Sequence, residues 1–193
     1  MKPIIRIIAV TATAFGCSAA FAQAGTVQRD VNQETRIEQG LKSGQLSTGE
    51  ASRLERGEAN IDRMQSRALR DGNLSNAERA RITAAQNRES QAIYNDKHNA
   101  VTGNPNSASS QRMQADVQRN VNQQTRIEQG VKSGQLTNRE AAGMERGQAH
   151  VDRMEARAGR DGHVGAGEQA RIQTAENRQS GRIYNAKHNG RTR

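Results

Sequence analysis

An internal repeat constrains the fold of this chain more than any other feature. Residues 29–100 align without gaps with residues 119–190, at an offset of 90, and 43 of the 72 aligned pairs are identical. Self-similarity of this kind predicts two copies of one supersecondary unit, which we place at 27–100 and 113–190. Between them, the predicted linker 101–112 begins with VTGNPNSASS, whose Gly, Pro, Asn and Ser content is typical of a linker.

Two turn sequences divide each copy into three predicted helices. In the first copy the turns are SGQLS and DGNLS, and each ends with a Ser that stands three residues before a Glu. This spacing is typical of a capping box, in which the hydroxyl and the carboxylate satisfy free backbone N–H groups at a helix start. Helices are therefore predicted at about 27–41, 48–69 and 76–97. In the second copy Gly165 replaces one capping Ser, which predicts a weaker helix start.

The fold class expected from these signals is all-α. No segment alternates apolar and polar residues as a β-strand does. Each copy is therefore predicted to be an up-down-up bundle of three helices, and the Gly/Pro/Asn/Ser linker joins two such tandem units. Aromatic residues make up only 2% of the chain, so one copy can bury little surface alone. Two arrangements remain open: the copies pack together, or the protein forms a homodimer.

Gly57 and Gly147 occupy equivalent positions in the two copies, in the middle of a predicted helix. Glycine destabilises a helix interior by roughly 1 kcal/mol relative to alanine. Its presence at both positions indicates either that another helix passes closely or that the helix bends there.

The first 22 residues predict a cleaved signal peptide. Lys2 and Arg6 provide a positive start, an apolar run follows, and the sequence AFA, which ends at Ala22, fits a small-x-small cleavage site. The apolar run is shorter than the roughly 20 residues that span a bilayer, so we expect no transmembrane segment after cleavage near Ala22. Cys17 is the only cysteine. The expected location is the periplasm or the extracellular medium.

The chain is basic, with 29 Lys and Arg against 20 Asp and Glu, and a formal net charge of +9. A positive balance favours an anionic partner, whereas the alternation of Arg with acidic residues indicates solvated helix faces with ion pairs. Nucleic acid is disfavoured as a partner, because Tyr94 and Tyr184 are the only aromatic residues of the repeats that could stack on bases. We therefore expect a protein or an anionic envelope component as the partner.

The turn sequence DGNLSNAE, together with its second copy DGHVGAGE, resembles the second half of an EF-hand calcium loop. In that family the Gly permits a sharp turn and a Glu six residues later binds the ion. The resemblance implies calcium binding through Asp71, Glu78, Asp161 and Glu168. The first half of the loop does not match, because Arg67 stands where the family has its first oxygen ligand. A helix–turn–helix with a capping box explains the same residues.

His98 and His188 are a second pair of candidate metal ligands. They lie in the sequences YNDKHN and YNAKHN near the end of each copy. Imidazole suits transition metals such as zinc and copper. The alternative is that each His complements the dipole at the C-terminal end of a helix. No HxxxH or CxxC spacing is present.

No arrangement of residues typical of an enzyme is found. The sequence contains neither a G-x-S-x-G elbow nor a phosphate-binding loop, and a thin bundle offers little room for a site that excludes water. We therefore predict a non-enzymatic exported helical repeat protein without a cofactor, which acts in envelope interaction, structure or stress-related binding. The alternative is a divalent-metal-binding or sensing protein that uses calcium or a transition metal. The chain also resembles small exported bacterial helical proteins with SGxL[ST]xxE turns, a resemblance that implies no activity.

Overall fold

The computed structural model describes residues 17–191, with side chains from residue 23 onward. Within these limits the protein contains no strand, and the prediction of an all-α fold is confirmed. The helices are α1 (Cys17–Ser43), α2 (Thr48–Ala68), α3 (Asn76–Lys97), α4 (Ala108–Lys132), α5 (Asn138–Ala158) and α6 (Ala166–Lys187). A short 3-10 turn, Gly159–Asp161, follows α5. The first helix begins well before its predicted start at 27, whereas α2 and α3 begin at the predicted residues.

The starts of α2, α3 and α5 follow the capping signals of the sequence. Their N-cap residues are Ser47, Ser75 and Thr137, and each forms a reciprocal capping box with the Glu three residues later. Gly165 precedes α6 without a side-chain hydrogen bond. Only the carboxylate of Glu168 accepts a hydrogen bond from the Gly165 N–H, at 2.9 Å, so α6 begins with half of the capping interactions.

Four helices, α1, α2, α4 and α5, form a central bundle to which both copies contribute. The most extensive contacts are those of α2 with α5 and of α1 with α4. The second pair is antiparallel, because Val27 shares a hydrophobic cluster with Val131, whereas Leu41 shares another with Met113. The two copies are therefore interlocked, which is the first of the two arrangements that the sequence leaves open.

The bundle contains two hydrophobic clusters, one toward each end, and both copies contribute to each. The first cluster contains Ala24, Val27, Ala68, Leu69, Leu74, Ile82, Ile127, Val131, Leu136, Ala141, Ala142, Met144, Ile183 and Ala186. The second contains Ile37, Leu41, Leu46, Ala51, Leu54, Ile93, Met113, Val117, Val151, Ala158, Val164 and Ile172. From residue 23 onward, neither three-helix unit thus has a hydrophobic cluster built from its own residues alone.

The helices α3 and α6 lie on the outside of the bundle, each against the first two helices of its own copy. At the mid-helix glycines the contact is close. The carboxylate of Glu89 in α3 occupies the space that a Cβ on Gly57 would fill, and the amide of Gln179 in α6 does the same at Gly147. The helices α2 and α5 continue through these positions, so close contact explains both glycines.

The connection between the two copies is shorter than the predicted linker 101–112. Because α4 begins at Ala108, the last five residues of that stretch are helical. The N–H of Gly103 donates a hydrogen bond to the carbonyl oxygen of Gly44, at 2.9 Å. The connection therefore lies against the turn between α1 and α2.

Most of the predicted signal peptide, residues 1–22, lies outside the described residues, and its cleavage near Ala22 stays a prediction. The first helix runs from Cys17 through this point without a break. Among the described helices, none combines the length and the apolar character that a membrane crossing requires.

Candidate metal centre

A layer of acidic side chains lies between the two hydrophobic clusters, in the middle of the four-helix bundle. Eight of its carboxyl-bearing residues are at most 2% exposed. They are Asp30, Glu34, Glu55, Glu58, Asp62, Glu145, Asp152 and Glu155. Over residues 23–191 no Lys, Arg or His side chain is buried. The layer thus contains no buried cationic side chain that could pair with the acids. Taking a charge out of water costs several kcal/mol per ion, and here no such pairing offsets that cost.

Three of these carboxylates form a first triad with the spacing of metal ligands. Asp30 of α1, Asp62 of α2 and Glu145 of α5 each place one oxygen within 4.8 Å of the other two. Gln124 of α4 lies beside them, and its Nε2 is 3.3 Å from Asp62 and 3.5 Å from Glu145. Each of the four bundle helices therefore contributes one oxygen-bearing side chain at the first triad.

A second triad consists of Glu34, Glu55 and Asp152, again from α1, α2 and α5. Asn120 of α4 lies beside it, with its Nδ2 3.5 Å from Asp152. The two triads adjoin, because the carboxyls of Asp62 and Asp152 are close enough to share a hydrogen bond when one is protonated. The acidic layer thus contains two neighbouring sets of potential ligands.

The internal repeat relates the two triads to each other. The equivalent pairs, first copy before second, are Asp30 and Asn120, Glu34 and Gln124, Glu55 and Glu145, and Asp62 and Asp152. Each triad therefore combines an Asp of one copy with a Glu of the other. The acids of α1 correspond to amides of α4, so every set contains three carboxylates and one amide.

Many oxygens of this layer have no hydrogen-bond partner among the described residues. No donor faces either carboxylate oxygen of Glu55 or of Glu58, or one oxygen each of Glu34, Glu145 and Asp152. Glu55 and Glu155 are close enough to share a hydrogen bond when one of them is protonated. Most buried polar atoms in native proteins are paired, and an unpaired one is costly. Within the triads these oxygens face one another, so the arrangement requires either protons or a cation between them.

Burial raises the pKa of carboxyl groups throughout the layer. It raises the pKa of Asp152 from 3.8 to about 8, and that of Asp30 from 3.8 to about 7. The pKa values of Glu34, Glu55 and Asp62 are also raised well above their ordinary range, by burial first and by neighbouring carboxylates second. Without a cation the layer therefore holds protons near neutral pH, and a cation that binds there must displace them.

The arginines that alternate with these acids in the sequence lie on the opposite side of the helices. On α2, Glu55 and Asp62 are buried, whereas Arg56 and Arg63 are exposed. The described residues form four ion pairs within 4.0 Å, and none of them includes one of the eight buried acids. Arginines do pair with acids outside this set, as Arg53 does with Asp96 and Arg119 with Glu176. The expected ion pairing does not extend to the eight buried acids, because these face the interior.

The EF-hand-like turns place the predicted ligands in local hydrogen bonds. The Oδ1 of Asp71 accepts a hydrogen bond from the N–H of Asn73 at 2.9 Å. In the second copy the Oδ1 of Asp161 accepts one from the N–H of His163 at 3.0 Å. The carboxylates of Glu78 and Glu168 accept from the backbone N–H at the starts of α3 and α6. In the described part of the chain, neither turn brings three potential ligands together.

His98 and His188 lie at the C-terminal ends of α3 and α6, where they are the C-cap residues. The Nδ1 of each ring is 2.7 Å from the carbonyl oxygen of a Tyr one turn earlier, Tyr94 or Tyr184. Each ring also stacks on that Tyr, with 4.2 Å between ring centroids. The two His residues thus interact with their own helix ends, and neither belongs to a group of potential ligands.

Sequence reasoning missed the buried triads, although a signal for them is present. Along α1, Val27, Asp30, Glu34, Ile37 and Leu41 follow one another at alternating steps of three and four residues. This spacing places all five side chains on one face of a helix. Acidic residues in line with the core positions indicate a buried acidic layer, but the neighbouring arginines favoured an interpretation as surface ion pairs.

The chemistry of the donors limits which cations fit this layer. All donors near the triads are carboxylate or amide oxygens, and no His or Cys takes part. Oxygen donors of this kind suit Ca²⁺, Mg²⁺ and Mn²⁺, whereas zinc and copper favour imidazole and thiolate. The arrangement therefore suits hard cations.

Comparison with known proteins gives no assignment. No protein-family model matches the chain, and neither a curated protein nor a solved structure matches it. The geometry of the described residues is therefore the basis for assigning a function.

Proposed function

We propose that this protein binds hard divalent cations in the acidic layer of its helical bundle and acts as a metal-binding or sensing protein. The observation that carries this proposal is the pair of buried carboxylate triads, whose ligand oxygens lie within 4.8 Å of one another. The proposed ligands are Asp30, Asp62 and Glu145 at one site and Glu34, Glu55 and Asp152 at the other. The EF-hand-like turns are not part of this proposal.

Cation binding resolves the electrostatic problem of the layer. Each triad carries three negative charges when it is ionised, and no buried Lys, Arg or His compensates them in the described residues. A divalent cation neutralises two of these charges and gives the unpartnered oxygens a ligand. The alternative is protonation, which the raised pKa values of these buried groups favour. A cation that enters displaces the protons.

The dry surroundings of the triads favour Ca²⁺ or Mn²⁺ over Mg²⁺. Magnesium gives up its bound waters reluctantly and usually keeps several of them, whereas the triad side chains are at most 2% exposed. Calcium takes oxygen ligands at about 2.3–2.6 Å, so two oxygens on opposite sides of the ion lie about 4.6–5.2 Å apart. Oxygens within 4.8 Å of one another are compatible with this distance.

Calorimetric titration of chelator-treated protein, residues 23–193, with CaCl₂ and with MnCl₂ tests the proposal. We expect two ions per chain, a rise in melting temperature on binding, and proton release that changes the observed heat between buffers of different ionisation enthalpy. The double variant Asp62→Asn with Asp152→Asn should lose affinity by about tenfold or more. The amides keep the shape of the acids, and circular dichroism reports whether the variant is folded.

A matched control removes the same two charges from the EF-hand-like turns. The double variant Asp71→Asn with Asp161→Asn should bind both cations as the unchanged protein does, because these carboxylates are exposed and engaged in local turns. Loss of binding in the turn variant with retention in the core variant would contradict the proposal. A flat titration of the folded protein with both cations would do so as well.

We also propose that the protein is exported and non-enzymatic, with an envelope partner as a second candidate function. Tyr94 and Tyr184 support contact with a partner, because 53% and 57% of their surface is exposed and the repeat presents the same Tyr–His stack twice. Cosedimentation with isolated cell envelopes tests this, and the variant Tyr94→Ser with Tyr184→Ser should sediment less. Equal sedimentation of the variant would count against a contact through these tyrosines.

A further inference from the structure

The outer face of α2 and α5 contains a groove lined by arginine side chains. Its volume is about 330 Å³, and its lining residues are Arg56, Asn60, Arg63, Arg153, Ala156, Arg157 and Arg160. Both copies contribute, since the first three residues belong to α2 and the others to α5 and to the turn that follows it. The groove therefore gathers five guanidinium groups, and no acidic side chain lines it.

The groove arginines have no carboxylate partner, in contrast to two arginines elsewhere in the described residues. Arg53 pairs with Asp96 at 2.9 Å, and Arg119 pairs with Glu176 at 2.8 Å. Within the described residues none of the five groove arginines forms an ion pair, and among them only Arg63 donates a side-chain hydrogen bond, to Asn60. Apart from the contact of Arg63 with Asn60, these donors have no acceptor among the described residues.

Positive charge is crowded in the groove, and this crowding acts on the pKa of Arg153. Partial burial lowers the pKa of the Arg153 guanidinium, and repulsion from Arg63 and Arg157 lowers it further. Like charges that are held together by two packed helices repel each other until an anion lies between them. The groove is therefore preformed for a negative ligand.

One alternative is that these arginines offset the charge of the acidic layer beneath them. Arg153 does interact with Asp152 and Asp62 through space. However, protons neutralise these carboxyls, and a divalent cation in each triad leaves one negative charge per triad. In either state the five arginines keep their charge. The groove thus has a surplus of positive charge that the interior does not neutralise.

We propose that this groove binds a small multivalent phosphate-bearing anion. A guanidinium is a planar fork that donates paired hydrogen bonds to phosphate oxygens, and five forks require more acceptor oxygens than one carboxylate offers. A volume of about 330 Å³ lies at the lower end for ligand pockets and fits a compact ligand. An extended nucleic acid strand is disfavoured, because no aromatic side chain lines the groove for base stacking.

Titration with pyrophosphate tests this proposal. We expect saturable binding of one pyrophosphate in the groove, weaker as salt is added because charges are screened. The double variant Arg63→Gln with Arg153→Gln should weaken binding about tenfold or more, and Arg63→Lys should retain part of it because charge remains while the fork is lost. The matched control, Arg88→Gln with Arg171→Gln, removes two exposed arginines from α3 and α6 and should bind pyrophosphate unchanged.

The remaining outcomes distinguish this groove from its alternatives. Equal loss in the groove variant and the control would mean general charge attraction and would overturn the proposal, as would the absence of pyrophosphate binding at low salt. Binding to phosphatidylglycerol vesicles without binding to pyrophosphate would assign the groove to membrane lipid instead. The groove variant should still bind two Ca²⁺ or Mn²⁺ ions per chain, because it keeps all six carboxylates of the triads, so that failure of the metal proposal and failure of this one can be told apart.

Discussion

Asp62 and Asp152 occupy the same position in the two copies, and their carboxyls adjoin at the centre of the bundle. Each belongs to a different triad. Neighbouring buried acids of this kind destabilise the folded chain unless protons or a cation lie between them. Replacement of either acid by an amide should therefore have opposite effects on the metal-free and the metal-bound protein.

We expect Asp62→Asn to stabilise the metal-free protein at pH 9 and to destabilise the protein in saturating Ca²⁺. Without metal, removal of one ionisable group from the interior should raise the free energy of unfolding by about 1 kcal/mol, which in a chain of this size raises the melting temperature by about 2–4 °C. With metal bound, the loss of a ligand should lower the free energy of unfolding. Calorimetric melting of both states measures these effects, and the exposed control Asp71→Asn should change neither. A decrease in both states would indicate a merely structural role for Asp62.

Gly147 and Gly143 lie one turn apart in α5, and they should respond in opposite ways to alanine. A Cβ on Gly147 would overlap the buried amide of Gln179, whereas a Cβ on Gly143 meets nothing within 4 Å. We expect Gly147→Ala to destabilise by about 1–3 kcal/mol through overpacking. Gly143→Ala should instead stabilise by up to about 1 kcal/mol through helix propensity. Urea denaturation measures both, and similar values for the two variants would contradict the close contact with α6.

At the scale of single elements, helix starts were predictable and helix contacts were not. Ser47, Ser75 and Thr137 all serve as the predicted N-caps, because a capping box depends on residues three positions apart. The start of α4 at Ala108 inside the predicted linker has a local cap as well, Ser107, whose hydroxyl accepts from the N–H of Ser110. The Ser and Asn content of this stretch favoured a linker, so this helix start was not predicted.

The packing of the segment between α3 and α4 against the turn between α1 and α2 should depend on Gly103. A Cβ at this position would overlap the backbone carbonyl of Leu46, and backbone atoms cannot move aside as a flexible side chain can. We expect Gly103→Ala to destabilise the protein by about 2 kcal/mol or more, measured by urea denaturation. The control Gly167→Ala, in the open first turn of α6, should be neutral or slightly stabilising. A neutral Gly103→Ala variant would show that the segment can detach from the turn at no cost.

At the scale of the whole molecule, the two copies depend on each other. Each hydrophobic cluster takes residues from both, and each triad does as well. The amides Asn120 and Gln124 stand where the first copy has Asp30 and Glu34. Two first copies paired with each other would bring all of these acids together, so the acid–amide exchange favours pairing of one copy with the other.

A fragment that contains only residues 23–102 should therefore remain largely unfolded at pH 8. Its apolar side chains lack the opposite halves of both clusters, and small domains with little buried surface are marginal. Mixing it with a fragment of residues 103–193 should restore helix, measured by circular dichroism. Cooperative unfolding of the first fragment alone would contradict the interlocked arrangement.

The metal-free protein should lose stability as the pH rises from 5 to 9. The folded pKa values of Asp30 and Asp152 are raised to about 7 and about 8 from 3.8. The folded state thus holds protons that the unfolded chain has released, and this contribution is full below pH 3.8 and is lost as the pH passes 7 to 8. Thermal melting across this range measures the loss. Saturating Ca²⁺ should reduce the slope, because the cation takes the place of the protons; a slope that Ca²⁺ leaves unchanged would argue against binding in this layer.

Features that depend on local interactions could be predicted from the sequence, whereas features that depend on non-local interactions could not. The sequence by itself determined the duplication, the all-α class and most helix starts, since repeats, turn glycines and capping residues act over a few neighbouring positions. Only the tertiary structure decided that α2 pairs with α5, that Asp62 meets Glu145, and that the arginines gather on the outer face. The spacing of Asp30 and Glu34 with the core positions indicates that they are buried, but no local signal identifies the helix that covers them, and here helices from the other copy do so.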